Sequence, residues 1–513
     1  MTAPSASRTA VANAIGYAIS IAISFVQAPF LIHHLGDERY GIWTLIGLVS
    51  GYYGLLDLGT RGAMGYFVAR ARARNASVEI AELTATAFWF LAAAGLVVLV
   101  IGTGILFLFP DMFRVAAAVR EEVLVALGIA LVLTVLTLPL DIFAAIVNGC
   151  RRGDIITFTE TAVRILIFVL IFVLFQHGAR LDVLAAIQLV GKTITWAIAF
   201  ATARRLEPNW SVRFRHRRRE RLGEIMRYGG QTTVINVSGM VIERLDAVVI
   251  ATILGARMVT VYVIGQSLVM YLSQGVSAVT LALTPFFADL HAKEDADRSR
   301  WLVFAGTRAA SLITGLIAGG LFAFGHAFIA RWVGPQYVQG PWYLRSDTVL
   351  LILIAAFIPR LLQSATHQYL FGVNKQWYLS RAFLIEGIAN LALSLILVRP
   401  LGLAGVAIGS ALPSLISQGW FIPRFVSRDL GVSYGQLFRE GQVRGLLVGV
   451  VVALCGLLVQ RLISSATWPG FFAGVAATLV LAAPFFWFVG LTGEDRSTVR
   501  RVVARRRMER RPA

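Results

Sequence analysis

Charge is scarce in this chain. Lys, Arg, Asp and Glu make up 15% of its 513 residues, against about 25% in soluble proteins, whose surfaces must face water. A surface so poor in charge, over so long a chain, faces lipid instead. Cysteine is scarcer still: Cys150 and Cys455 are too few for a disulfide framework and lack metal-ligand spacing. The 7 histidines are scattered and form no HExxH-type pattern, so no metal site is expected. Long hydrophilic stretches are missing as well. The longest loop opposite the arginine-rich side, about residues 331–347, is too short for a catalytic domain. Gly191-Lys192-Thr193 has the tail of a nucleotide-binding loop, but Ala186 stands where its first glycine belongs. These absences exclude most enzyme classes, and no cofactor is expected.

What is present is apolar sequence, 57% of the chain, in long runs from end to end. About 20 apolar residues cross the hydrocarbon layer as a helix, and backbone out of reach of water must satisfy its own hydrogen bonds. The fold class is therefore an all-α polytopic membrane protein. Fourteen spans are predicted: 10–32, 40–69, 83–109, 122–148, 155–176, 182–203, 228–254, 258–288, 301–330, 347–371, 378–398, 402–422, 443–463 and 470–491. A net charge of +19 would suggest nucleic acid in a soluble protein. Here the bases gather in alternate loops, at Arg70, Arg72 and Arg74, at Arg151 and Arg152, from Arg204 to Arg227, and from Arg496 onward. Such a bias marks the cytoplasmic side and places both termini there. No nucleic-acid partner is expected, and 10–32 reads as an uncleaved first helix.

The basic run divides the chain. Residues 1–203 form an N-lobe of six spans, 204–227 a cytoplasmic linker and 228–424 a C-lobe of six spans; 425–492 add two helices and 493–513 a basic tail. Pro139 in span four matches Pro359 in span ten, and Gly149 and Gly372 close those spans. A six-span unit duplicated in parallel, as in many transporters, accounts for this order.

Polar residues recur at helical spacing on four spans. Span one carries Asn13, Tyr17, Ser20, Ser24 and Gln27; span two carries Trp43, Gly47, Ser50, Gly54, Asp57 and Arg61. Span seven carries Thr232, Asn236, Glu243 and Asp246 beside Arg244, and span eight carries Tyr262, Gln266 and Ser273. One such stripe is commonly packing glue. Four of them, opening both lobes, point to a shared polar cavity. Basic residues inside spans are Arg61, Arg164, Lys192, Arg244, Arg308, Arg360 and Arg381. Asp57–Arg61 and Glu160–Arg164 have the spacing of i,i+4 ion pairs. Lys192, Arg244, Arg308 and Arg360 have no acid three or four residues away, and are expected to meet something beyond their own helix. They either snorkel to the interface or line a cationic cavity that receives an anionic substrate. Glu243 and Asp246 would share a proton or cation, or neutralise Arg244.

Leu35-Gly36, Tyr40-Gly41, Trp43 and Leu56-Asp57-Leu58-Gly59, with Asp246, Ile250, Leu254-Gly255 and Tyr262, resemble the polysaccharide and O-antigen (Wzx-like) flippases. That family belongs to the multidrug/oligosaccharidyl-lipid/polysaccharide exporter superfamily. The resemblance implies two lobes around a cavity lined by spans one, two, seven and eight. It implies transport, not catalysis: flipping of an undecaprenyl-diphosphate-linked oligosaccharide to the outer leaflet of a bacterial inner membrane by alternating access. The diphosphate would meet Arg61 and Arg244, with Arg308, Arg360 and Lys192 as further cavity cations. Asn13, Asn236 and Gln266 would line the cavity, and Tyr17, Trp43 and Tyr52 would stack on sugars. Partners would be the lipid-linked oligosaccharide, membrane lipids and polysaccharide polymerase or export machinery. Span one lacks the basic residues of peptidoglycan-precursor flippases. The alternative, a multidrug exporter of the same superfamily, fits an excess of cavity cations less well.

Overall fold

The computed structural model describes residues 3–178 and 180–497, and every regular element among them is helical. Eleven helical stretches are long and apolar enough to cross a bilayer, so the chain is a multi-pass membrane protein. Two of the eleven contain two spans each. Helix α1 (Ala3–Tyr53) turns at Gly36, φ 76°, and α14 (Trp377–Ile416) turns at Gly402, φ 51°, a backbone region open to glycine at little cost. The span 228–254 lies in the helix Arg219–Ile253, which is not among the eleven. The total is thus about the fourteen read from hydropathy, depending on how broken helices are counted.

The chain forms two compact units, residues 1–260 and 261–513. In the first, α1 is followed by a 3₁₀ turn (Gly54–Asp57), α2 (Thr60–Ala73), α3 (Ser77–Met112), α4 (Arg120–Leu140), α5 (Ile142–Gly149), α6 (Gly153–Leu174), α7 (Leu181–Leu206) and α8 (Arg219–Ile253). One apolar cluster joins Met64 and Phe67 of α2, Leu83 of α3, Ile142 and Ile146 of α5, Ala203 of α7 and Trp210. The basic stretch 204–227 folds onto that cluster. Trp210 packs on Phe143 and Phe200, with ring centroids 5.1 and 5.4 Å away, while Arg218 and Arg221 reach Glu82 and Arg72 reaches Glu207. The repeat in the sequence groups 228–254 with the second lobe, whereas packing places α8 in the first unit. Near its start Arg70 pairs with Glu224 at 3.5 Å, and the backbone at Gly229 lies against Gly59.

The second unit holds α9 (Ala256–Thr280, from residue 261), a 3₁₀ turn (Leu281–Leu283), α10 (Thr284–Ala292), α11 (Ala296–Trp332), α12 (Ser346–Leu362) and α13 (Ser364–Gly372). After these come α14, a π-helical turn (Ser417–Phe421), α15 (Ile422–Asp429), α16 (Tyr434–Leu437), α17 (Val443–Leu462) and α18 (Trp468–Phe485). Helices α11 and α17 approach through paired small residues. A Cβ on Gly315 would lie 1.9 Å from the Gly445 carbonyl oxygen, and one on Gly319 would lie 2.4 Å from that of Gly449.

Both units break in the same order. A 3₁₀ turn separates α1 from α2 and, in the second unit, α9 from α10. Helix α4 stops just past Pro139 and α12 just past Pro359, where a missing N–H and the ring's bulk loosen a helix.

Candidate functional site

The break between α1 and α2 builds the first half of a charged site. Leu58 and Gly59 both take positive φ, 49° and 72°, so the chain leaves one helix and starts another within six residues. A Cβ at Gly59 would come within 2.5 Å of the Gly229 carbonyl oxygen, so glycine is required by space as well as by dihedral. Asp57 stands at the end of the 3₁₀ turn. Its Oδ1 accepts the Arg61 backbone N–H at 3.1 Å and its Oδ2 accepts the Arg61 Nε–H at 2.7 Å.

The second half comes from the break between α4 and α5. Asp141, the single residue between them, accepts from Arg61 Nη1 at 2.7 Å, pairs with Lys192 of α7 at 3.0 Å, and accepts the Trp196 indole N–H at 2.9 Å. Two carboxylates and two cations from four elements thus close one network. A buried charge persists only with partners of this kind. The acids are the enclosed members, each with 12% of its side chain exposed, against 38% for Arg61 and 30% for Lys192. Arg61 therefore keeps guanidinium N–H groups that the acids do not use, in the fork geometry that suits a phosphate.

Lys192 also lines a polar cavity of ≈ 420 Å³ between α4, α6 and α7, with Thr137, Glu160, Arg164, Gln188 and Thr195. The expected Glu160–Arg164 ion pair is not formed: both side chains are exposed and line this cavity, with no hydrogen bond or ion pair between them. Among the described residues no group of acids, histidines and cysteines is arranged to hold a metal ion.

The other predicted site residues divide. Tyr52 is half-buried and feels the charges of Arg244, which is exposed, and Asp246, which is 2% exposed. Trp43 and, in the second unit, Gln266 are half-buried. Arg308 is held by Asp495 beyond the last helix, at 3.0 Å. Burial alone would raise the Asp495 carboxyl. The hydroxyl and N–H of Thr492 and the Arg308 guanidinium outweigh it and hold the group below its ordinary range. Arg360 lies over the rings of Phe357 and Phe383, 5.8 and 5.1 Å from their centroids. The side chains of Asn13, Tyr17, Asn236 and Glu243 lie outside those described.

Of the predicted cations, then, the structure joins Arg61 and Lys192 in one network and ties Arg308 to the tail. Asp141 and Trp196 were missed. Asp141 is 51 residues from Lys192 and 80 from Arg61, so no i,i+4 rule finds it. The one available hint was an acid placed two residues after the span-four proline.

A broken-helix bundle with charges held inside it and a polar cavity beside them defines a multi-pass membrane transporter. The "Polysaccharide biosynthesis protein" family profile matches residues 8–291, more than half of the chain, and the protein belongs to that family. It is 23% identical over 497 residues to the membrane protein EpsK of Bacillus subtilis (strain 168), covering 95% of this chain and 96% of EpsK. It is 22% identical over 432 residues to a putative O-antigen transporter of Shigella flexneri, covering 82% and 98% of the two chains. In fold it resembles the lipid II flippase MurJ in an inward closed conformation, with a TM-score of 0.62 at 12% identity over 93% of this chain and 97% of MurJ. An inward-facing multidrug resistance MATE family transporter of the MOP superfamily gives 0.61 at 12% identity, over 81% and 94%.

Proposed function

We propose that this protein flips a lipid-linked oligosaccharide, carried on an isoprenoid diphosphate, from the cytoplasmic to the periplasmic leaflet of a bacterial inner membrane, with both termini cytoplasmic. The observation that carries this reading is the pair Arg61–Lys192, held by enclosed acids with donors left over, in a chain of the polysaccharide biosynthesis family. A diphosphate meets those donors directly, and Arg164 and Gln188 extend the polar surface next to Lys192. Because the network already balances its own charge, the ligand competes with Asp57 and Asp141 for the cations. Binding and release are then both accessible, as a carrier requires. Arg244 and Asp246 sit near Tyr52, and a coupling ion would act at Asp246 together with Glu243. The cargo is moved without covalent change and passed to a polymerase or export machinery. A multidrug exporter, in contrast, would offer its cationic substrates mainly free acids, whereas Asp57 and Asp141 are paired and the one unpaired acid among the described residues of the cavity, Glu160, shares it with Arg164 and Lys192.

The test is a deletion strain, followed by lipid extraction and an assay of surface glycan. Loss of surface polysaccharide with complete oligosaccharide-diphosphate-lipid retained inside supports the reading. Normal glycan with raised sensitivity to cationic drugs replaces it with the exporter. In complementation, Arg61→Lys and Arg164→Gln should lower transport at least tenfold at normal protein levels. These variants are chosen because Arg61→Ala would leave the enclosed Asp57 without its cation, whereas Asp141 keeps Lys192 and Trp196.

A further inference from the structure

The second unit contains a cavity that this transport reading leaves unused. It measures ≈ 610 Å³ and is bounded by α14 on both sides of its Gly402 turn, by the π-helical turn and by α15. That volume falls within the roughly 300–1,000 Å³ of small-molecule sites. Its walls are almost wholly apolar, and two of them, Ile385 and Ile416, are 68% and 58% exposed on the outer surface of the bundle. The cavity therefore opens sideways, toward lipid.

Its rim carries Arg381, Arg424 and Arg428, all exposed. Among the described residues none of the three has a carboxylate partner, although Lys375 close by is paired with Asp429. Arg381 lies over Trp377 and Arg424 over Trp420, 4.5 and 4.8 Å from the ring centroids. A guanidinium flat against an aromatic face keeps its N–H edge free for an anion. Glu386, the one acid in the lining, is 2% exposed; its Oε2 accepts from Gln418 Nε2 at 2.8 Å, and its Oε1 is buried without a hydrogen-bond partner among the described residues. The wall is also locally unusual. Residues Ser417–Phe421 wind as a π turn, which turns Trp420 and Phe421 outward at 49% and 63% exposure, and the Gly419 carbonyl accepts from the Tyr434 hydroxyl at 2.8 Å. π turns within α-helices concentrate at functional sites.

An apolar slot open to the bilayer, with three uncompensated guanidiniums and aromatic rings at its mouth, matches one chemistry: an acyl chain ending in a phosphate. Zwitterionic lipids would bring an ammonium to the same three cations. Basic pockets between membrane helices bind anionic headgroups in this way. We infer that this cavity binds an anionic glycerophospholipid of the surrounding membrane as a resident ligand, separate from the transported cargo.

The test uses the full-length protein in detergent, with bound lipid read by native mass spectrometry after mixing with phosphatidylglycerol, phosphatidylcholine or undecaprenyl diphosphate. Phosphatidylglycerol should be retained at least tenfold more than phosphatidylcholine. Substituting Arg381→Gln, Arg424→Gln and Arg428→Gln together should remove that preference, whereas Arg461→Gln should not. Ala389→Trp fills the cavity and leaves its charges in place, so it should also abolish retention, whether or not the triple variant folds. Equal retention of the two phospholipids, or unchanged retention in Ala389→Trp, overturns the inference. So does tenfold tighter retention of undecaprenyl diphosphate that is lost with the same substitutions, because the cavity would then hold cargo. The readout is binding alone, so a failed transport assay does not decide it.

Discussion

The two units break their helices in the same order but fill the breaks with different chemistry. Past Pro139 the first unit places Asp141, which needs cations from two other helices and an indole from one of them. Past Pro359 the second unit places Gln363, whose side-chain oxygen is satisfied by Thr366 one turn later, at 2.9 Å. An amide closes its account locally, whereas a carboxylate recruits distant helices. The first unit is therefore cross-linked by charge at the place where the second is self-contained; elsewhere in the second, α11 and α17 meet through close glycine contacts.

The largest expected effect tests that contrast directly. Asp141→Leu strands Lys192 and leaves Arg61 with Asp57 alone, and should lower stability by about 3 kcal/mol, seen as a large drop in the thermal unfolding midpoint in detergent. Gln363→Leu should cost only about 1 kcal/mol, since Thr366 keeps its bond to the Gln363 backbone carbonyl. Equal losses at the two sites would erase the distinction. Adding Lys192→Met to Asp141→Leu should recover part of the loss.

Next in size is a comparison inside the second unit. Gly319→Ala drives a methyl into the Gly449 carbonyl and should cost about 1–3 kcal/mol. Gly320→Ala, one residue on, meets nothing within 4 Å and should be neutral or stabilising by up to about 1 kcal/mol. If both glycines tolerate alanine, glycine contacts do not hold α11 to α17. The smallest effect is one of pH. The Asp495 carboxyl is lowered in the folded chain, so its contribution is full above the unfolded value of about 3.9 and is lost as pH falls through the lower folded value. Unfolding midpoints of wild type and Asp495→Asn should differ by a constant amount from pH 8 to about pH 5, and converge only in stronger acid.

Hydropathy made the helical membrane fold legible because lipid leaves a chain few choices, and Gly149 and Gly372 marked two span ends; Pro139 and Pro359 were read as matching positions within spans, and the structure breaks both spans just past them. The pair Asp57–Arg61 was legible because its spacing is local. The rest of the site was not. Lys192 stood out as a cation without a nearby acid, but its partner, Asp141, is brought to it by the packing of α4 and α5 on α7. Glu160 and Arg164 had the spacing of a pair, yet spacing sets only Cβ proximity, and both side chains turn to the cavity instead. Arg308 was read as a cavity cation because its partner, Asp495, lies 187 residues away, beyond the last span.

One detail of the first break has a mechanical meaning. Asp57 grips Arg61 twice, once by its main chain and once by its side chain. The main-chain grip helps start α2, and the side-chain grip is the one a phosphate would contest. On the proposed reading, a diphosphate that drew the guanidinium aside would leave α2 held at its start by the main-chain grip alone, so binding of cargo would be coupled to the footing of a whole helix.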